Sequence, residues 1–240
     1  MDAWWFIALV ALVAFLYSMV GHGGASGYLA LMAIAGVSIT AARPAALVLN
    51  CCVSTIAYVH FARAGHFSWK VFWPFALLSV PMAWLGSRVE LDPILYKRLL
   101  AICLLVAVAR MLGLFGKKQV DQRAVPIVVA VLIGAALGLV SGLIGIGGGI
   151  LLSPILLLAG WADTKTTAGV SALFILVNSL SGLAGLSGSG LPNIEWSWLL
   201  AALAGGALGS WIGAEKLSAV RLRQALGLVL LFASIKLVLP

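Results

Sequence analysis

The chain has 240 residues, of which 63% are hydrophobic and 9% charged, with mean hydropathy +1.15. No soluble domain needs that much apolar surface, and long uncharged runs imply membrane spans. The net charge of +8 does not argue for nucleic acid, because the basic residues are scattered among short loops, where they set orientation.

The opening Met1-Asp2-Ala3-Trp4-Trp5 has no basic region and no cleavage pattern, so it reads as the start of an uncleaved first span. Ten apolar segments follow, near 4–20, 25–39, 44–62, 71–86, 95–115, 126–144, 150–162, 167–186, 197–213 and 222–239. The expected fold is therefore an all-α membrane protein of about ten helical segments. Between the first two segments lies Val20-Gly21-His22-Gly23-Gly24. Glycine costs about 1 kcal/mol in a helix interior relative to alanine, so a cluster at this depth predicts a break. A single helix over residues 4–39 would be about 54 Å long, against a hydrocarbon core of about 30 Å. Two short or re-entrant helices meeting at the glycines fit better. Cys51, Cys52 and Cys103 lie in apolar segments without metal-ligand spacing and read as small buried hydrophobes.

The polar stretch 116–125 separates two sets of five segments, giving a first repeat over 1–115 and a second over 126–240. Ile144-Gly145-Ile146-Gly147-Gly148-Gly149 repeats the glycine cluster 124 positions after Gly21. Phe67-Ser68-Trp69 matches Ile194-Glu195-Trp196, Gly86-Ser87 matches Gly209-Ser210, and Leu104-Leu105 with Ala107 and Arg110 matches Leu230-Leu231 with Ala233 and Lys236. Weak internal symmetry of this kind is a mark of transporters. Five segments per half put Arg63, Lys70, Arg110, Lys117, Lys118, Arg123, Lys165, Lys216, Arg221 and Arg223 on one side of the membrane. Arg43, Arg88, Lys97, Arg98 and Lys236 fall on the other. That ten-to-five division of the 15 basic residues makes the middle loop cytoplasmic and both termini external, with the second repeat inverted. Merging the broken segments into single crossings removes the bias. A bacterial inner membrane is the expected location.

After each cluster a short segment starts like a helix. Its N-terminus carries roughly half a positive charge and unpaired N–H groups, and glycines let an anion approach them. The expected anion site comprises Gly21, His22, Gly23, Gly24 and Ser26 in the first half and Gly145, Gly147, Gly148 and Gly149 in the second. Asn50 with Ser54 and Thr55, and Ser171 and Asn178 with Ser179 and Ser181, are neutral groups placed either to line the cavity or to bond neighbouring helices. Gly134-xxx-Gly138-xxx-Gly142 and Gly205-xxx-Gly209-xxx-Gly213 read as packing faces. Arg110 and Lys236 read as snorkelling cations near helix ends. Arg43 and Lys165, with Asp163, fall at the two cavity mouths. Every acidic residue lies in or near a loop, so no proton relay is visible and the coupling ion, H+ or Na+, is not readable.

The paired Gly-x-Gly-Gly clusters, the duplication, the small size and the Trp elements after segments 3 and 8 resemble the sulfite exporter TauE/SafE family. The resemblance covers about Trp5 to Leu239, and Gly-Leu-Ile-Gly-Ile-Gly-Gly-Gly at 142–149 is its most specific part. The first cluster departs from it, with His22 between glycines and Ala25 in place of a third glycine. The family implies an integral permease for sulfite, thiosulfate or organosulfonates, working by alternating access. Expected partners are that small anion, the lipid bilayer and a coupling ion, with oligomerisation open. Nucleic acid, metal and cofactor are not expected, and no Gly-x-x-x-x-Gly-Lys-Ser/Thr occurs for ATP drive. Two alternatives compete: a carrier of another small metabolite with two five-helix repeats, and an intramembrane serine protease using Ser26 in Gly24-Ala25-Ser26-Gly27 with His60 as base.

Overall fold

The computed structural model describes residues 4–92, 94–96, 98, 101, 102, 105, 123–186 and 194–216. Arg110, Lys236, Cys103, the Leu104 and Leu230 elements, segment 10 and most of the middle loop lie outside the described residues. Within them the chain forms eight helices and no strand. In chain order these are α1 (Trp4–Ser18), α2 (Ala25–Ile34), α3 (Ile39–Arg63), α4 (Trp69–Ser87), α5 (Ile127–Ile144), α6 (Gly149–Leu158), α7 (Thr164–Gly185) and α8 (Trp196–Glu215). The helices α3, α5, α7 and α8 are long and apolar enough to cross a membrane by length and composition. At 10 residues each, α2 and α6 reach about 15 Å, half a hydrocarbon core. The largest boundary differences are that α2 ends at Ile34 rather than 39 and the second short helix at Leu158 rather than 162, each just before a glycine of positive φ (Gly36 and Gly160), and that α3 starts at Ile39 rather than 44, because Ser38 begins the helix and Pro44 is accommodated within it.

Both glycine clusters break the helix. Gly24 and Gly148, at the N-termini of α2 and α6, have φ of +98° and +73°, in the left-handed region that only glycine enters cheaply. Positive φ also recurs at Gly21 and Gly145 and at Gly36 and Gly160. At each break the chain turns back. A Cβ on Gly27 would lie 2.6 Å from Val13 Cγ1, although a continuous helix separates residues 14 apart by about 21 Å. A Cβ on Gly148 would lie 3.4 Å from the Leu137 carbonyl oxygen.

Two apolar cores result. One joins Phe6, Val10 and Tyr17 of α1 and Tyr28 and Met32 of α2 to Leu49 and Val53 of α3 and Trp198 and Ala202 of α8. The other joins Leu137 of α5 and Leu152 and Leu156 of α6 to Val170 and Phe174 of α7 and Phe72 and Phe75 of α4. Each core takes its fourth helix from the opposite half. The closest helix pairs follow the same exchange. Added Cβ atoms on Gly134, Gly138 and Gly142 of α5 would strike the carbonyls of Phe75, Ser79 and Ala83 on α4. On α8, Gly205, Gly209 and Gly213 stand in the same relation to Ala11, Phe15 and Met19. These stripes are packing faces of the small-xxx-small kind.

Outside these cores the surface is apolar: Leu77, Val128, Leu132 and Leu200 are exposed, and Trp4, Trp69 and Trp196, each the first residue of its helix, are largely exposed. Exposed leucine and valine over such an area suit lipid, and tryptophan at helix ends suits the membrane interface.

Gly138→Ala is expected to lower the melting temperature in detergent well below that of Gly65→Ala. The latter meets only the strain of φ +79° with open space around it, about 1–2 kcal/mol. Equal shifts would show that the α4–α5 approach does not depend on the missing side chain.

Candidate functional site

Asn50, wholly buried on α3, stands where the two breaks meet. Its Oδ1 accepts from the Ala25 N–H, the first of α2, at 3.2 Å. Its Nδ2 donates to Ser179 Oγ on α7 at 2.9 Å and to the Ile146 carbonyl, in the second cluster, at 3.5 Å. A Cβ on Gly23 would collide with Asn50 Oδ1, and one on Gly147 would lie 2.5 Å from Asn50 Nδ2. One carboxamide thus touches both clusters from opposite ends, and the N-termini of α2 and α6 are drawn to the same place. Each helix N-terminus carries roughly half a positive charge.

A second polar chain lies alongside. His22 Nε2 is 3.0 Å from Ser153 Oγ on α6. Ser153 Oγ is 2.8 Å from Ser171 Oγ on α7 and donates to the Gly149 carbonyl at 3.1 Å. All of these side chains are at least nine-tenths buried. Among the described residues no three His, Cys, Asp or Glu side chains form a group able to hold a metal.

The sequence profile described as "Sulfite exporter TauE/SafE" matches residues 6–237. The chain belongs to that family. It is also 38% identical over 231 residues to a protein of Sinorhizobium fredii (strain NBRC 101917 / NGR234) described as "Probable membrane transporter protein y4hK", covering 94% of each. No solved structure matches the chain.

In this TauE/SafE protein the predicted site residues fall into three groups. Gly23, Asn50 and Gly147 converge directly. His22, Gly149 and Ser171 form the adjoining chain through Ser153. The rest stand at the margins: Gly21 packs on the Ala168 backbone, Gly24 on the Tyr28 ring, Gly145 beside the Arg43 stem, and Gly148 between Phe174 and Ser141. Ser26 Oγ pairs with Tyr17 Oη at 2.9 Å. Asn178 spends its Nδ2 on the Phe174 carbonyl, one turn back in its own helix, at 2.8 Å. Thr55 and Ser54 bond the Cys51 carbonyl, and Ser181 bonds that of Val80.

Ser26 and His60 are not a catalytic pair here. Ser26 bonds Tyr17, whereas His60 Nδ1 is 2.7 Å from Ser210 Oγ on α8. Arg43 is buried rather than at an open mouth. Its Nη2 donates to the Gly142 carbonyl at 2.9 Å and to that of Ser87 at 3.4 Å, capping the ends of α5 and α4. Lys165 Nζ likewise donates to the Ala214 carbonyl near the end of α8 at 2.9 Å. Asp163 caps α7 through the N–H groups of Lys165 and Thr166. Burial opposes its ionisation, but bonds from the Thr166 hydroxyl and these N–H groups outweigh that and hold its carboxyl below the usual range. Cys51 and Cys52 are free thiols, each half-buried.

Sequence reasoning missed Ser153 and Tyr17. Ser153 was detectable in principle, as the sole hydroxyl in the apolar run Ile150–Leu158. Tyr17 carries no local signal, since its role is set by Ser26 turning back toward α1.

Asn50→Leu strips the Ala25 N–H and the Ser179 hydroxyl of a buried partner and is expected to cost on the order of 3 kcal/mol. In a double-mutant cycle with Ser179→Ala, unfolding in mixed detergent should give a coupling of about 1 kcal/mol. Strictly additive costs would deny the bridge.

Proposed function

We propose that the chain is a secondary transporter for a small anion, an oxidised sulfur compound such as sulfite, thiosulfate or an organosulfonate. The observation that carries this is the meeting of two helix N-termini and two glycine clusters at Asn50. Two half-charges aimed at one point offer an anion about one unit of positive potential without a lysine or arginine side chain. The missing Cβ atoms give the Asn50 amide room against Gly23 and Gly147, so an anion that takes that amide's place meets backbone N–H groups with no side chain in the way. Asn50 supplies amide N–H groups, and Ser179, Ser153 and Ser171 supply hydroxyls. Family membership and the relative's description as a membrane transporter support a carrier rather than an enzyme, and the family's name supports the sulfur oxyanion.

Two inverted five-segment repeats, joined by a cytoplasmic basic loop in a bacterial inner membrane, account for the organisation. Support comes from the exchange of the fourth helix between the two cores, the matched glycine stripes and the basic-residue bias of the loops. Alternating access then follows from one repeat, or the bundle it contributes to, moving against the other. Asn50–Ser179 and His22–Ser153 are the polar contacts that such a motion must break or carry along. A carrier of cationic metabolites fits less well, because this site presents positive helix ends and no carboxylate among the described residues.

Flux of radiolabelled sulfite, thiosulfate and a small sulfonate into proteoliposomes tests the proposal. Saturable uptake of at least one is expected. Gly148→Leu should remove it, by forcing a side chain against Phe174 and Ser141 at the start of α6, where φ is +73°, while the variant still inserts and elutes as a single species. Undiminished uptake by a correctly inserted Gly148→Leu would reject the site, and no uptake of any anion would reject the function.

A further inference from the structure

We infer that His22 binds a proton that travels with the anion, so that the carrier is an anion–proton symporter. The inference rests on the anion-carrier reading above and adds its coupling ion.

The first argument is charge. Burying an unbalanced monoanion in a medium of low dielectric is costly even when dipoles face it. The buried arginine is already committed, since Arg43 Nη2 bonds two helix-end carbonyls. Within the polar network around Asn50 and Ser153, His22 is the basic side chain, and it is 5% exposed. Protonated, it supplies a full countercharge beside the two helix ends; neutral, it withdraws it. Loading and release of the anion are then linked to loading and release of the proton, and a monoanion crosses with no net charge.

The second argument is hydrogen-bond parity. Ser153 has one hydroxyl proton and three neighbours: Gly149 O, His22 Nε2 and Ser171 Oγ. The Gly149 carbonyl only accepts. When Ser153 donates to it, His22 must donate from Nε2, which imidazolium always does. A neutral ring with its proton on Nδ1 instead needs the Ser153 proton, and Gly149 O loses the Ser153 hydroxyl. Loss of the proton from His22 Nε2 in the first half is thereby registered at the first residue of α6 in the second half.

The ionisable groups on the surrounding elements are few. They are Tyr17 on α1, bonded to Ser26; Tyr28 on α2, against Gly24; Arg43, Cys51, Cys52, Tyr58, His60 and Arg63 on α3; His66, whose backbone abuts Gly169; and Asp163 and Lys165 at the start of α7. The helix α6 carries none. Imidazole is the side-chain type among these suited to carry a proton near neutrality. His60 lies ten residues beyond Asn50 on α3, about 15 Å along the helix, and engages Ser210, and His66 lies farther still, past the end of α3.

The test uses the full chain in proteoliposomes with thiosulfate and a small sulfonate, whose charges do not titrate near neutrality. For the wild type, a gradient of one pH unit, acid outside, should drive about ten-fold accumulation of a monoanion at one proton per anion. A pH dye in the lumen should report acidification when the anion gradient alone drives uptake. For His22→Gln, the ratio of uptake with and without the gradient should fall to about one, whatever rate remains, while His60→Gln keeps the wild-type ratio. Wild-type anion flux without lumenal acidification would overturn the inference even if His22→Gln fails to fold, as would a gradient response retained in His22→Gln. Absence of any wild-type anion flux would instead sink the carrier reading, and the symport with it.

Discussion

A broken helix inside a bilayer must find partners for the backbone groups it frees, and in this protein one side chain does so for both breaks. Asn50 takes the first N–H of α2 on its oxygen and gives its amide protons to the second cluster and to Ser179. A carboxamide suits this place because it accepts and donates at opposite ends and carries no charge. An aspartate would lack the donors, and a lysine the acceptor. The glycines at 23 and 147 follow from the same constraint, since a side chain at either position would occupy the space of the amide. The site is thus held by what the breaks require, and the anion affinity proposed for it would be a by-product of helix ends brought together.

The rest of the bundle keeps those two ends in register. Each broken pair is too short to anchor itself, and each is clamped by a helix from the other half, α8 on α1 and α4 on α5. The clamps run along glycine stripes that bring backbone against backbone. In lipid this packing cannot draw on the hydrophobic effect, so close van der Waals contact carries it. Arg43 and Lys165 finish the frame by capping the carbonyl ends of the clamping pairs. The cations expected at the cavity mouths are here spent on the scaffold, which leaves the helix N-termini as the positive ends at the polar centre and His22 as its basic side chain.

The sequence reveals the breaks and their duplication clearly, because glycine in a membrane-grade helix has few explanations and two clusters 124 residues apart have fewer. The short helices Ala25–Ile34 and Gly149–Leu158 begin where the glycines imply, and the small-residue stripes are packing faces as their spacing suggests. What stays hidden is partnership. Nothing local to Asn50 distinguishes it from Asn178, yet the first joins two clusters and the second bonds within its own helix. Ser153, silent in an apolar run, becomes the partner of His22 only once the halves interlock. Ser26 and His60 look like a dyad in one dimension and separate in three. Asn50–Ser179, His22–Ser153 and His60–Ser210 each span more than a hundred residues and are fixed by the way the two halves interlock, which a linear pattern does not encode.

The central claim is that both glycine clusters serve one anion site. The most direct measurement is a structure with bound 2-bromoethanesulfonate, whose bromine is located by anomalous scattering. The account predicts a single peak within a few ångströms of Asn50, between Gly23 and Gly147, lost in Asn50→Leu. A peak elsewhere in a protein that transports the compound, or one that persists unchanged in Asn50→Leu, would contradict it.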